Sequence, residues 1–130
     1  MSEGIGFLAK ALEAIERWMG RQDQAKVRKE QNRTVALEAL LAAIAETTAY
    51  TADRRGGVLR NRKREAKIAQ LWSRASVCVY TLDRRLSTVL AMQSMGWADP
   101  ELWDTPAFKN APLELGRIRD QCLWLLGQDT

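Results

Sequence analysis

VLRNRKREAKIAQLWSRASVCVYTLDRRLSTVLAMQSM, residues 58–95, is the stretch on which the fold turns. Ile68, Leu71, Ala75, Cys78, Leu82, Leu86 and Val89 recur at steps of three and four, flanked by Trp72, Val79 and Leu90. That period places apolar side chains on one stripe of a helix, so one long helix is expected over 58–95. Immediately upstream, Gly56 and Gly57 follow Arg54 and Arg55. Cations in a last helical turn followed by glycine mark a helix ending in a left-handed cap.

Before that cap, Leu37, Leu40, Leu41, Ile44, Thr48 and Thr51 repeat the same spacing in Ala-rich surroundings, which allow another helix to approach closely. A helix over 22–55 and one over 58–95 would lie antiparallel across about 50 Å. Two shorter helices are expected beside them. Ile5, Leu8, Leu12, Ile15 and Met19 form a stripe over 5–19, broken by Gly20 and a polar stretch. Leu115, Ile118, Cys122 and Leu125 share one face over 112–127. Gly96 is expected to end the third helix. Asp99-Pro100 and Thr105-Pro106 each resemble an N-cap with proline at the first helical position, predicting short turns near 100–103 and 106–110 anchored by Trp97, Trp103 and Phe108. The expected fold is all-α: an antiparallel four-helix bundle built on a long helical hairpin, as a single domain over 1–130.

Composition agrees with one domain, since 130 residues at 46% hydrophobic suffice for one core and not for two. The dominance of Ala, Leu, Glu, Arg, Gln and Lys favours helix. No unbroken apolar run of about 18 residues occurs, so no membrane-spanning helix is expected. The start, Met1-Ser2-Glu3-Gly4, lacks a basic leader, and a cytoplasmic setting is expected. Cys78 and Cys122 each fall inside an apolar pattern and read as core fillers rather than a disulfide.

Catalytic signatures are missing. With no histidine, the usual base for serine or cysteine nucleophiles and the commonest nitrogen ligand of zinc are gone. The same absence removes the carboxylate di-iron pattern of bundles. Glu13 and Glu16 could in principle hold magnesium, but Lys10 and Arg17 beside them describe a solvated face. GIGFLA at 4–9 has the letters of a dinucleotide loop without the preceding strand that the loop needs. No enzyme, metal or other cofactor is expected.

Charge supplies the positive signal. The chain carries +4 net, yet residues 1–53 sum to −1, residues 54–67 to +6 and residues 68–130 to −1. Arg54, Arg55, Arg60, Arg62, Lys63, Arg64 and Lys67 form a basic tip suited to an acidic protein surface or a phosphate backbone. The alternative is a solvated turn, but dipole attraction accounts only for Arg54 and Arg55; the other five stand near a helix start, which disfavours cations unless an anion compensates. No aromatic residue is interleaved, so base stacking is not expected.

Five tryptophans suggest an interaction surface, with Trp18, Trp97 and Trp103 as candidates; long apolar helices also favour self-association. A third reading sets the N-terminal amphipathic helix in a membrane interface. Its Lys10 and Arg17 are outnumbered by Glu3, Glu13 and Glu16, unlike helices that bind anionic lipid. The function expected is a non-enzymatic, self-associating interaction protein whose basic tip contacts an acidic partner, with non-specific nucleic-acid binding as the alternative.

Overall fold

The computed structural model describes residues 3–127, with side chains described at position 13 and over 28–124. All regular elements among them are helical. The first, α1 (Glu3–Arg55), is followed by α2 (Arg62–Val79), α3 (Arg84–Ala98), a 3₁₀ turn (Pro100–Asp104), α4 (Pro106–Lys109) and α5 (Leu115–Gly127). Internal contacts divide the chain into two compact units, residues 1–32 and 33–130. Within the first, the described backbone is helical from Glu3 onward. The second contains both the core and the basic tip.

Three expected sets of helix bounds are corrected. Helix 5–19 and helix 22–55 are not separate: α1 is continuous through Gly20. Glycine in a helix interior costs only about 1 kcal/mol against alanine, and its neighbours Trp18, Met19, Arg21 and Gln22 are compatible with helix. Helix 58–95 is not continuous: it breaks at Tyr80–Asp83 into α2 and α3, which pack against each other. The long hairpin is therefore absent. Helix 112–127 starts three residues later, at Leu115, with the amide of Ile118 donating to Glu114 O at 3.1 Å.

The break that sequence periodicity missed uses no glycine or proline. Leu82 and Asp83 amides both donate to Val79 O, at 2.8 and 2.9 Å, closing α2. Asp83 then caps α3, its Oδ1 accepting the Leu86 amide at 3.0 Å. Above the turn, Ser76 Oγ donates to Ser87 O at 2.7 Å and Ser87 Oγ to Ser76 O at 2.8 Å. Both serines are buried. Two small residues that satisfy each other's backbone let the helices meet closely.

Four helices contribute to one core: Ala36, Leu40 and Ala43 from α1, Ile68 and Trp72 from α2, Leu86 and Leu90 from α3, Ile118 and Cys122 from α5. The buried side of α1 is rotated from the expected stripe. Ala36, Ala39, Ala43, Thr47 and Tyr50 face inward with Leu37 and Leu40, while Leu41 is 55% exposed and Thr48 is also exposed. Thr47 belongs inside because its Oγ1 donates to Ala43 O at 2.7 Å and accepts the indole N–H of Trp72 at 2.8 Å. Trp72 can thus be wholly buried without an orphaned donor.

An apolar outer face on top of an apolar core face gives residues 28–55 the length and mean hydropathy of a bilayer-crossing helix. An average of this kind does not require an unbroken apolar run. Polar side chains at Glu38, Glu46, Thr47 and Thr48 interrupt any such run while leaving the average high. Within the second unit, Ala36, Leu37, Ala39, Leu40, Ala43 and Tyr50 of this segment belong to the core.

The Pro-initiated turns stand where expected. Asp99 Oδ1 accepts the Glu101 amide at 3.3 Å, and Thr105 precedes Pro106 without a side-chain cap bond. Tyr50, Trp97, Trp103 and Phe108 form an edge-to-face series with centroids 5.9, 6.1 and 5.9 Å apart. Gly96 does not end α3, which runs on to Ala98. Its hydrogen is needed because the Trp103 ring lies where a Cβ would stand.

Candidate functional site

The basic tip is built by the end of α1, the connection 56–61 and the first turns of α2. Gly57 has φ +98°. Its amide donates to Arg54 O at 3.2 Å and the Val58 amide donates to Asp53 O at 3.0 Å. This is the paired 5→2 and 6→1 closure of a Schellman cap. Arg54 Nη1 adds a bond to Val58 O at 3.0 Å. At the other end Asn61 caps α2, its Oδ1 accepting the Arg64 amide at 3.0 Å, while its own amide donates to Tyr50 Oη at 3.1 Å.

The anion that compensates the cations at this helix start is Glu65. Its carboxylate is 5% exposed and accepts the Tyr50 hydroxyl at 2.5 Å, Arg60 Nε at 3.2 Å and Arg62 Nη1. Arg62 Nη2 reaches on to Ala98 O at 3.0 Å, tying the start of α2 to the end of α3. Burial pushes the Glu65 carboxyl up, but the hydrogen bonds from Tyr50, Arg62 and Arg60, with the Arg60 charge, outweigh it and hold it below the ordinary glutamate value. Glu65 therefore stays ionised and also favours the α2 dipole.

The seven cations consequently divide into two groups. Arg60 and Arg62 serve Glu65. Arg64 pairs with Asp53 Oδ2 at 2.9 Å and lies 4.9 Å from the Tyr50 ring centroid. Arg54 braces the cap. Arg55, Lys63 and Lys67 are exposed, and none of the ion pairs or hydrogen bonds described at the tip involves their side chains. With Asp53 included, residues 53–67 still carry net +5. In the middle stand Val58, 48% exposed, and Leu59, 84% exposed. Counting charges along the sequence finds the cations and passes over both the role of Glu65 and this apolar pair.

The tryptophan candidates fare differently. Trp18 lies outside the residues whose side chains are described. Trp97 and Trp103 are half-buried in the aromatic series, and Trp97 Nε1 donates to Gln93 Oε1 at 3.1 Å, so their packing is within the chain. The tryptophan that is 55% exposed is Trp124. It lines an open groove of about 740 Å³ together with apolar Leu86, Val89 and Ile118 and with Arg85, Arg117, Asp83 and Asp120. Charges of both signs give this groove no preference for cation or anion.

Among the described residues, no three Cys, Asp or Glu side chains come together as a metal site. Both cysteines are free thiols; Cys122 is buried in the core, and burial raises its pKa. No protein-family model, curated protein or solved structure matches this chain, so the tip is interpreted from its own chemistry.

Proposed function

We propose that this chain is a non-enzymatic interaction module that uses the α1–α2 tip to engage an anionic partner. One observation carries the reading: after Glu65 and Asp53 have taken their partners, the tip retains net +5, with Arg55, Lys63 and Lys67 exposed on an ordered frame. Long-range attraction to a negative surface needs such a surplus and little else. The four helices around one core, read as a four-helix bundle, serve to hold that tip.

The division of the cations dictates the test. Replacing Arg60 or Arg62 leaves a buried carboxylate short of partners, and lost binding would then be confused with lost folding. Arg55→Glu, Lys63→Glu and Lys67→Glu together reverse charge without touching Glu65. The expected result is early elution of the triple variant from immobilised heparin, with stability lowered by no more than the roughly 1 kcal/mol that reversing Arg55 at a helix end costs. Equal retention would overturn the proposal. Fluorescence titration with a short duplex DNA tests the nucleic-acid alternative, which requires affinity falling steeply with salt.

A second reading, self-association, is favoured by the outer face of α1. Val35 and Leu41 are 45% and 55% exposed, Ala42, Ala45, Thr48, Ala49 and Ala52 share that side, and Glu38 is the charged residue among them. Surface helices ordinarily present charge there. Light scattering of wild type and Ala45→Glu decides it: a multiple of 14.7 kDa that collapses to the monomer in the variant supports a second copy on this face. A wild-type monomer rejects it.

A further inference from the structure

The position of Leu59 makes the anionic-partner reading more specific. It is 84% exposed, beside Val58 at 48%, so the pair adds little to the core. These residues do not sit on a loose loop. The Schellman bonds and the Arg54 bond fix the chain at Val58, and the Asn61 cap and its bond to Tyr50 fix it again at Asn61. A polar side chain would serve the turn equally well at Leu59, which enters neither cap and is almost wholly in solvent. Next to the pair in the chain stand five cations: Arg54, Arg60 and Arg62 are held by the cap and by Glu65, whereas Arg55 and Lys63 are exposed without such a partner.

On a phosphate backbone in water, an exposed leucine at the centre of the contact gains nothing, and there is no ring to stack on bases. At a bilayer interface each part has a use. Short apolar side chains enter the boundary between headgroups and acyl chains, and Lys and Arg stay at headgroup level, attracted by anionic lipid. Neither signal alone gives firm binding; membrane attachment takes two signals, such as an apolar anchor together with a basic patch.

Resting on the anionic-partner reading, we infer that the α1–α2 tip is a peripheral membrane contact: Val58 and Leu59 insert shallowly into an anionic bilayer while Arg55, Lys63 and Lys67 engage its headgroups. This differs from the N-terminal-helix route considered from the sequence, since the residues lie in the second unit.

Vesicle flotation of the full chain tests it, using phosphatidylcholine alone and with about 30% phosphatidylserine, at about 0.1 M salt. Wild type should float with the anionic vesicles and remain in solution with neutral ones. Val58→Ser with Leu59→Ser should weaken vesicle affinity about tenfold or more, the expected loss for two apolar side chains, while heparin retention and thermal unfolding stay unchanged. Heparin retention without flotation would overturn the membrane inference and leave the anionic-partner reading standing, with an acidic protein or nucleic acid as the partner. Flotation indifferent to the serine variant would overturn insertion. Failure to bind either heparin or vesicles would overturn both readings.

Discussion

The second unit reverses its chain twice in succession, and the two turns are built from opposite materials. Between α1 and α2 the reversal uses a glycine at positive φ, an Asn cap and a buried carboxylate encircled by arginines. Between α2 and α3 it uses an Asp cap and two neutral serines that bond each other's carbonyls. The first turn is held by charge and presents charge. The second is held by close approach of two helices. An ionic turn depends on pH and on every member of its network, whereas a hydroxyl-packed turn depends mainly on the fit of small side chains.

The contrast breaks first at Glu65. Glu65→Ala should cost about 2 to 3 kcal/mol in denaturant unfolding, because it removes the buried acceptor of the Tyr50 hydroxyl proton and of two half-exposed guanidinium groups. A cost below about 1 kcal/mol would mean the network contributes no more than ordinary surface ion pairs. The pH dependence sharpens the point. Since folding depresses the Glu65 pKa, its contribution is fully present above the unfolded glutamate value of about 4.3 and is lost as pH falls through the folded value. Wild type should lose stability more steeply below about pH 4 than Glu65→Gln.

At the second turn, Ser76→Ala combined with Ser87→Ala should cost about 2 kcal/mol, roughly one for each buried hydroxyl bond. This loss should be flat across the same acid range; a pH-dependent loss would erase the distinction between the turns. Matched cap variants come next. Asp83→Ala removes an N-cap bond and Gly57→Ala forces a Cβ onto φ +98°, each costing about 1 kcal/mol in thermal unfolding. The smallest effect concerns the thiols. Half-buried Cys78 should react with a disulfide reagent well before Cys122, which is 3% exposed with a raised pKa. Equal rates would show that α5 opens as readily as the end of α2.

The same pair of turns explains what could be read from the sequence. Gly56-Gly57 after two arginines declares a helix end outright, and the structure has a Schellman cap there. The break at Tyr80–Asp83 hides because Val79, Leu82, Leu86 and Leu90 keep steps of three and four across it. Both helices bury their faces in one core, so the apolar spacing stays in phase through the turn. Gly20 misled in the other direction, since a glycine weakens a helix without stopping it. At the tip, charge counting located the cations, but their division depends on Glu65 reaching Tyr50, fifteen positions back, a tertiary fact with no local sign. An acidic residue alone among seven basic ones was the available signal.

Glu65 also constrains how this chain can vary over time. A buried carboxylate with Tyr50, Arg60 and Arg62 as partners cannot be exchanged one residue at a time without passing through a destabilised intermediate, although an apolar group of the same shape can replace a buried ion network outright. The four positions are therefore a heritable unit. Descendants should keep all of them or change them together, while Arg55, Lys63 and Lys67, bound to no such partner, are free to drift with whatever the tip touches.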